Sequence, residues 1–435
     1  MCARDCAGAL KARRRGARWG VRLGLALGMP LLLLFAVEGG LRLVGFGFDP
    51  HVAVREYDGT RSVYRENQAF TLRVFPPALV RSLEPFTLDA RKPDGVVRVC
   101  VVGSSAAQGV PDPSFSLSRM LEIMLASCAP STRWEVVNVG ITAINSHVVR
   151  LVAQDCLEQL DADLLVVYCG NNEVIGPFGA GTVFSRAMPS QRVIRAVLWL
   201  RSLRLGQVLT RMLGSRGVPA GWGGMSMFLR HRVGVDDPRL LTVYAHFQQN
   251  LKDICAAAAR HDAGVVLCTV GVNLRDCPPF ASLHGTGVTS AIALAWSNDI
   301  AAAEAAEHAG DNSKAAGHYR MALQRDPLHA ETHYRAARLL GAVGDAVATG
   351  DHFALARDDD ALRFRADSVI NRIIRMTAAA QTGRVALADI EHVFAAASAS
   401  GSPGNDLFFE HVHLTFDGTW LAASTMAARV VALLA

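Results

Sequence analysis

Three things are scarce in this sequence: closely paired cysteines, long uncharged runs, and net charge beyond the N-terminus. The nine cysteines form no C-x-x-C pair, so their spacing encodes no thiolate metal site. Cys2 and Cys6 stand near the start. Cys100, Cys128, Cys156, Cys169, Cys255, Cys268 and Cys277 are scattered and give no disulfide pattern. The uncharged stretch Leu23–Val37 has 15 residues, short of the roughly 20 that span a bilayer. The formal charge of +5 is concentrated in residues 1–22, where seven Arg and Lys face Asp5 alone. The rest of the chain is close to neutral, which argues against a nucleic-acid surface. With 51% hydrophobic residues the chain is not disordered, and 435 residues can hold two or three domains.

The N-terminus combines that basic tail with the apolar stretch. Arg22 can snorkel, and Gly39–Phe48 is apolar apart from Arg42, so a helix can lengthen at both ends. We read a basic cytoplasmic tail at 1–22 and a single-pass transmembrane anchor at 23–45. The positive-inside rule then places the remainder of the chain outside the cytoplasm, in the periplasm or at the cell surface. The competing reading is a cleaved signal peptide, for which Ala36-Val37-Glu38 is a poor site. Residues 46–95 form a juxtamembrane segment containing Pro76, Pro77, Pro85 and Pro93.

From residue 96 short β-branched runs begin: Val96–Val102, Trp134–Val139, Asp163–Cys169 and Gly264–Val270. Helical patterns alternate with them at Leu117–Ser127, His147–Leu160, Leu240–Arg260 and Gly418–Leu434. Such alternation predicts an α/β fold with a parallel sheet covered on both faces. Cys100, Cys169 and Cys268 lie within the runs and are expected to be buried. Residues 174–235 read as a helical excursion over the strand ends.

Residues 296–362 are Ala-rich and repetitive. Gly310 and Gly344, Asp311 and Asp345, Tyr319 and Phe353, and Ala322 and Ala356 are each 34 apart. That period and the single aromatic per helix resemble a pair of tetratricopeptide repeats, with Pro327 where such repeats place a proline. The alternative is an ordinary Ala-rich helical hairpin. This segment separates two parts of one domain, 96–295 and 363–435, and a protein partner at the repeats is expected.

Four polar stops come after the strand-like runs in order. They are Gly103-Ser104-Ser105, Asn138-Val-Gly140-Ile-Thr-Ala143, Gly170-Asn171-Asn172-Glu173, and Glu410-His411-Val412-His413. A hydroxyl, an imidazole and a carboxylate are the parts of a nucleophilic hydrolase. With strand order 2-1-3-4-5, the loops after the second and third strands flank the serine. Serines also cap turns, and Ser104 and Ser105 taken alone would be read that way.

These blocks resemble those of the SGNH (GDSL-like) hydrolase family. The resemblance implies a flavodoxin-like three-layer fold. It also implies Ser105 as nucleophile and oxyanion donor, with Ala143 N–H and the Asn172 amide as the other donors of an oxyanion hole. His413 would be the base and Glu410 its orienting acid. The first block departs from Gly-Asp-Ser, Ala143 stands where a glycine is usual, and glutamate replaces aspartate. Ala143 is expected to hold a more ordinary backbone than glycine. Asn171 is read as structural, and Asn145, Ser146 and His147 as pocket lining or the start of a helix. His411 is the rival base, but three residues before it stands Phe408, which cannot orient a ring. His284, His308, His318, His329, His333 and His352 show no paired carboxylate spacing, so neither a metal nor a cofactor is expected.

The reading is a membrane-anchored serine ester hydrolase acting on an ester-bearing substrate, an acylated glycan or lipid. An O-acyltransferase of a cell-envelope polysaccharide shares every such residue. A non-catalytic envelope scaffold, working through the repeats, is the alternative of a different class.

Overall fold

The computed structural model describes residues 25–26, 28–184, 188–213, 221–342 and 344–434. Two compact units divide the chain, residues 1–50 with 192–216, and residues 51–191 with 217–435. Elements are numbered along the whole chain.

The smaller unit holds three helices, α1 (28–43), α5 (Gln191–Leu200) and α6 (Arg204–Leu213). The Glu38 carboxylate accepts the N–H groups of Arg204 at 3.1 Å and Leu205 at 2.9 Å, and so caps the start of α6. The Gln207 amide brackets Phe48, accepting from its N–H at 2.9 Å and donating to its carbonyl at 3.0 Å. Among the described residues no helix is long and apolar enough to cross a membrane. The anchor read at 23–45 is therefore not seen as a spanning helix there. The basic tail at 1–22, with Cys2 and Cys6, lies outside the described residues.

In the larger unit, the stretch read as juxtamembrane carries an antiparallel sheet of β1 (Ala53–Tyr57), β2 (Ser62–Glu66) and β3 (Thr87–Asp89). The main sheet is parallel and runs β5 (Arg133–Asn138), β4 (Val96–Gly103), β6 (Leu164–Tyr168), β7 (Gly264–Cys268), β8 (Val385–Ala388). Renumbered within the sheet this is the order 2-1-3-4-5. β6 and β7 are buried throughout, as strands covered on both faces must be. One group of helices is α3 (Leu117–Cys128) with α13 (Ile390–Ala397) and α14 (Phe416–Leu434). The other is α4 (Ser146–Glu158), α7 (Arg239–Arg260) and α12 (Ser368–Ala379). Right-handed crossovers leaving β4 toward β5 and returning toward β6 put the groups on opposite faces. Cys100, Cys169 and Cys268 are buried, and all seven described cysteines are free thiols.

Between β7 and β8 come α8 (Ser290–His308), α9 (Asn312–Arg325), α10 (Ala330–Ala342) and α11 (Ala346–Asp358), each packed on the next. Gly310 and Gly344 take φ of 75° and 86°, and Asp311 and Asp345 then cap α9 and α11. The 34-residue spacing thus marks two equivalent helix stops and starts. Tyr319 is buried among Ala303, Ala306, Ala315, Ala336 and Leu339. Phe353 is buried among Tyr334, Ala337 and Ala356.

Candidate active site

Strand β4 is central, so the turn at its carboxyl end is flanked by the loops after β5 and β6. Gly103 ends β4 where a Cβ would lie 2.1 Å from the Tyr168 carbonyl oxygen, so only glycine lets the strands stay paired there. The chain then turns into the short helix α2 (Ser105–Gln108). Ser104 occupies its N-cap without a side-chain cap bond, so the capping role open to it in the sequence is not made. Ser105 is the first helical residue, where an N–H has no intrahelical partner. Its hydroxyl and its N–H have no hydrogen-bond partner among the described residues.

Gln108 joins this turn to the loop after β5. Its Oε1 accepts Thr142 N–H at 3.0 Å and the Thr142 hydroxyl at 2.7 Å. Asn138 Nδ2 donates to the Gln108 carbonyl at 2.9 Å, while a Cβ on Gly140 would meet Gln108 N at 2.5 Å. The next bend is Ala143, at φ 64°. This corrects the expectation of an ordinary backbone. Alanine is held in the left-handed region that favours glycine, at a cost of about 1–2 kcal/mol. The turn is imposed by the bonds on both sides, and strain of this kind gathers at functional sites.

The loop after β6 brings Asn172, whose Nδ2 donates to the Ile144 carbonyl at 3.1 Å and keeps a second N–H. Asn171 is buried and accepts Ala366 N–H at 3.0 Å, a structural role. Glu173, which closes the polar stop but has no role assigned by the sequence, fastens this loop to α4. Its carboxylate accepts Ser146 N–H at 2.8 Å and the Ser146 hydroxyl at 2.7 Å. Burial pushes the Glu173 carboxyl up to about 7, against the pull of those two bonds. Asn145 is the N-cap of α4. Ser146 and His147 begin that helix and meet Asn250, at 2.9 Å and 3.1 Å, instead of lining the pocket.

The final loop precedes α14. Glu410 Oε1 accepts His413 N–H at 2.8 Å and lies 2.6 Å from His413 Nδ1. This fixes the tautomer with hydrogen on Nδ1 and leaves Nε2 as the basic nitrogen. Nε2 is buried with no partner among the described residues. The other carboxylate oxygen contacts His411 Nδ1, so one glutamate serves two imidazoles. Phe408 cannot orient His411, as the spacing indicates; the partner of that ring is instead the adjacent Glu410. Burial pushes His413 down to about 4, and burial with repulsion from His413 and Arg365 takes His411 to about 3. Desolvation is the first cause of both shifts and keeps the rings neutral.

Ser105, Ala143, Asn172, His411 and His413 line one recess of about 140 Å³, and Ser104 does not. Its apolar wall comes from Ile175, Phe184, Trp222, Met225, Phe228 and Phe364. Elsewhere, His284 does have a carboxylate partner, Asp326 at 2.7 Å, which spacing does not reveal. Among the described residues no three His, Cys, Asp or Glu side chains gather as metal ligands.

The site is thus a serine, histidine and glutamate constellation at the carboxyl ends of a parallel α/β sheet. No family model matches the sequence. No curated protein matches it at a significant level. Among solved structures, the acetyl xylan esterase AlAXEase is similar over 77% of this chain and all of its own, with 12% identity and a TM-score of 0.34. A two-domain esterase (CEX) active on acetylated mannans is 13% identical, with a TM-score of 0.18 over 38% of this chain. This chain spans 49% of that protein's length. Likeness this partial carries no argument about activity, and the functional reading rests on the recess itself.

Proposed function

We propose that this protein is a serine ester hydrolase of the SGNH type, working through an acyl-Ser105 intermediate. The observation that carries the reading is the gathering of Ser105, Ala143, Asn172 and His413 around one recess. His413 Nε2 takes the Ser105 proton as Oγ attacks the ester carbonyl carbon. The N–H groups of Ser105 and Ala143 and the second Asn172 N–H receive the negative charge on the carbonyl oxygen. Collapse expels the alcohol, which leaves with the proton from His413. Water, deprotonated by the same nitrogen, then attacks the acyl carbon and releases the carboxylic acid and Ser105. Glu410 holds the ring and balances the imidazolium.

The recess suits an acyl group of a few carbons, since a cavity of about 150 Å³ holds a molecule the size of benzene. An ester of a glycan or lipid is the substrate class we assign. The protein acts outside the cytoplasm, held by its N-terminal segment; the basic tail and the apolar stretch behind it support this. Helices α8–α11 are read as a tetratricopeptide-like pair inserted in the hydrolase domain. The equivalent caps at Asp311 and Asp345 and the burial of Tyr319 and Phe353 support that reading.

A fluorophosphonate probe tests the chemistry. It should label the native protein on Ser105 and leave Ser105→Ala unlabelled, while Ser104→Ala is still labelled. Labelling lost in Ser104→Ala alone would move the nucleophile, and no labelling of native protein would remove the mechanism.

A further inference from the structure

We propose that α5 and α6 form a cationic amphipathic helix pair that docks flat on an anionic lipid bilayer, independently of any chemistry at Ser105. Residues 191–213 contain Arg192, Arg195, Arg201, Arg204 and Arg211 and no Asp or Glu. In α6 the apolar residues Leu205, Val208, Leu209 and Met212 recur at i, i+3, i+4 and i+7, one stripe of a helix. A stripe of that kind normally faces a core. Here Met212 is 80% exposed and Leu209 47%. In α5, Ile194 and Leu198 turn inward, yet Trp199 remains 62% exposed. The same unit exposes Leu31–Phe35 of α1, with Phe35 at 73%. Glu38 and Gln207 tie α1 and the residues just beyond it to α6, so these apolar surfaces belong to one body.

The charge decides the occupant. The one carboxylate at these helices, Glu38, is taken up in capping α6, while Arg192 and Arg211 are exposed beside the apolar face. Such a face complements anionic headgroups, and tryptophan and arginine favour the bilayer interface. Each helix has 10 residues, about 15 Å long at 1.5 Å per residue, so neither crosses a membrane and both must lie in its surface. The helix pair is therefore a second membrane contact, separate in sequence from the apolar stretch at Leu23–Val37.

The test uses the full chain with Cys2, Cys6 and Cys128 changed to serine and an environment-sensitive fluorophore on Met212→Cys. Ile123→Cys, an exposed position on α3, is the control. With vesicles of phosphatidylcholine and phosphatidylglycerol, the fluorophore at 212 should shift to the blue. It should be quenched by spin-labelled lipid and shielded from iodide, while the control stays in water. Arg192→Gln and Arg211→Gln should each weaken binding to anionic vesicles about fivefold, from roughly 1 kcal/mol per arginine near a charged surface. Pure phosphatidylcholine should show no such change. A fluorophore at 212 still open to iodide on vesicle-bound protein would overturn the proposal, since the N-terminal stretch alone would then hold the membrane. Shielding without lipid that grows with protein concentration would also overturn it, in favour of a second copy on that face.

Discussion

The parallel sheet and the helices α8–α11 bury their interiors by different means. The sheet packs Val, Leu and Cys along β6 and β7, and its strand ends are fixed by backbone contacts such as Gly103 against Tyr168. The helices pack alanine around aromatics, Tyr319 in one layer and the Tyr334–Phe353 pair in the other. Redundancy protects the first arrangement. The second concentrates its packing in three aromatic side chains. The reactive groups are all on the sheet side, so the two regions should fail separately.

The largest effect should come at the strand ends. Ser105→Ala and His413→Ala should each lower turnover at least about 10³-fold with unfolding midpoints unchanged, and the double variant should be no worse than either. Additive losses would mean that the two groups do not act as one unit. Next, Tyr319→Ala should cost about 3–5 kcal/mol in the helical region. Proteolysis between α8 and α11 should accelerate while Ser105 stays reactive toward the probe. Simultaneous loss of both would show that the regions are coupled. Asn172→Ala should lower turnover about 10²–10³-fold with the Michaelis constant little changed, as removal of one oxyanion donor does.

Glu173 separates pH from chemistry. Its carboxyl is raised to about 7 in the folded protein, against an ordinary value of 4.5, so the folded state binds more protons between these values. The stability this gives is complete below pH 4.5 and lost as pH rises through 7, on the order of 3 kcal/mol in all. Urea unfolding at pH 5 and pH 8 should show Glu173→Gln losing less stability over that interval than the native chain. Equal losses would place the pH dependence elsewhere. The smallest effect belongs to Ala143→Gly, which should stabilise by about 1 kcal/mol or less. Relief of the left-handed strain is partly offset by the entropy glycine loses on folding.

Much of the sheet is legible in the sequence because β-branched runs bounded by polar residues have few other uses. The starts of β4, β6 and β7 lie within a residue of the expected places. β8 is hidden because Val385-Ala-Leu-Ala388 has one β-branched residue and is as good a helix start as a strand. The sheet β1–β3 is hidden because its strands, of five, five and three residues, are half exposed and lie amid prolines. At the site, residue types and order point to Ser105, Asn172 and His413. Backbone angle and side-chain reach do not show in the letters. Nothing in Ile-Thr-Ala-Ile signals a left-handed alanine. No spacing rule reveals that Glu410 reaches the ring beside it as well as the ring three residues on. Glu173 carries a weak signal, an acid directly after Gly-Asn-Asn in an otherwise apolar run.

The reach of Glu410 sets position 410 apart from position 143. Glycine in place of Ala143 should ease the chain. Aspartate in place of Glu410 should harm it. With one methylene fewer, a carboxylate anchored to the His413 backbone N–H no longer extends to His411. A second imidazole is then left in the recess without a counterweight, beside the one that must accept the proton. Ala143 and Glu410 are thus unlike in kind: one is a burden carried by its neighbours, and the other is a part fitted to them.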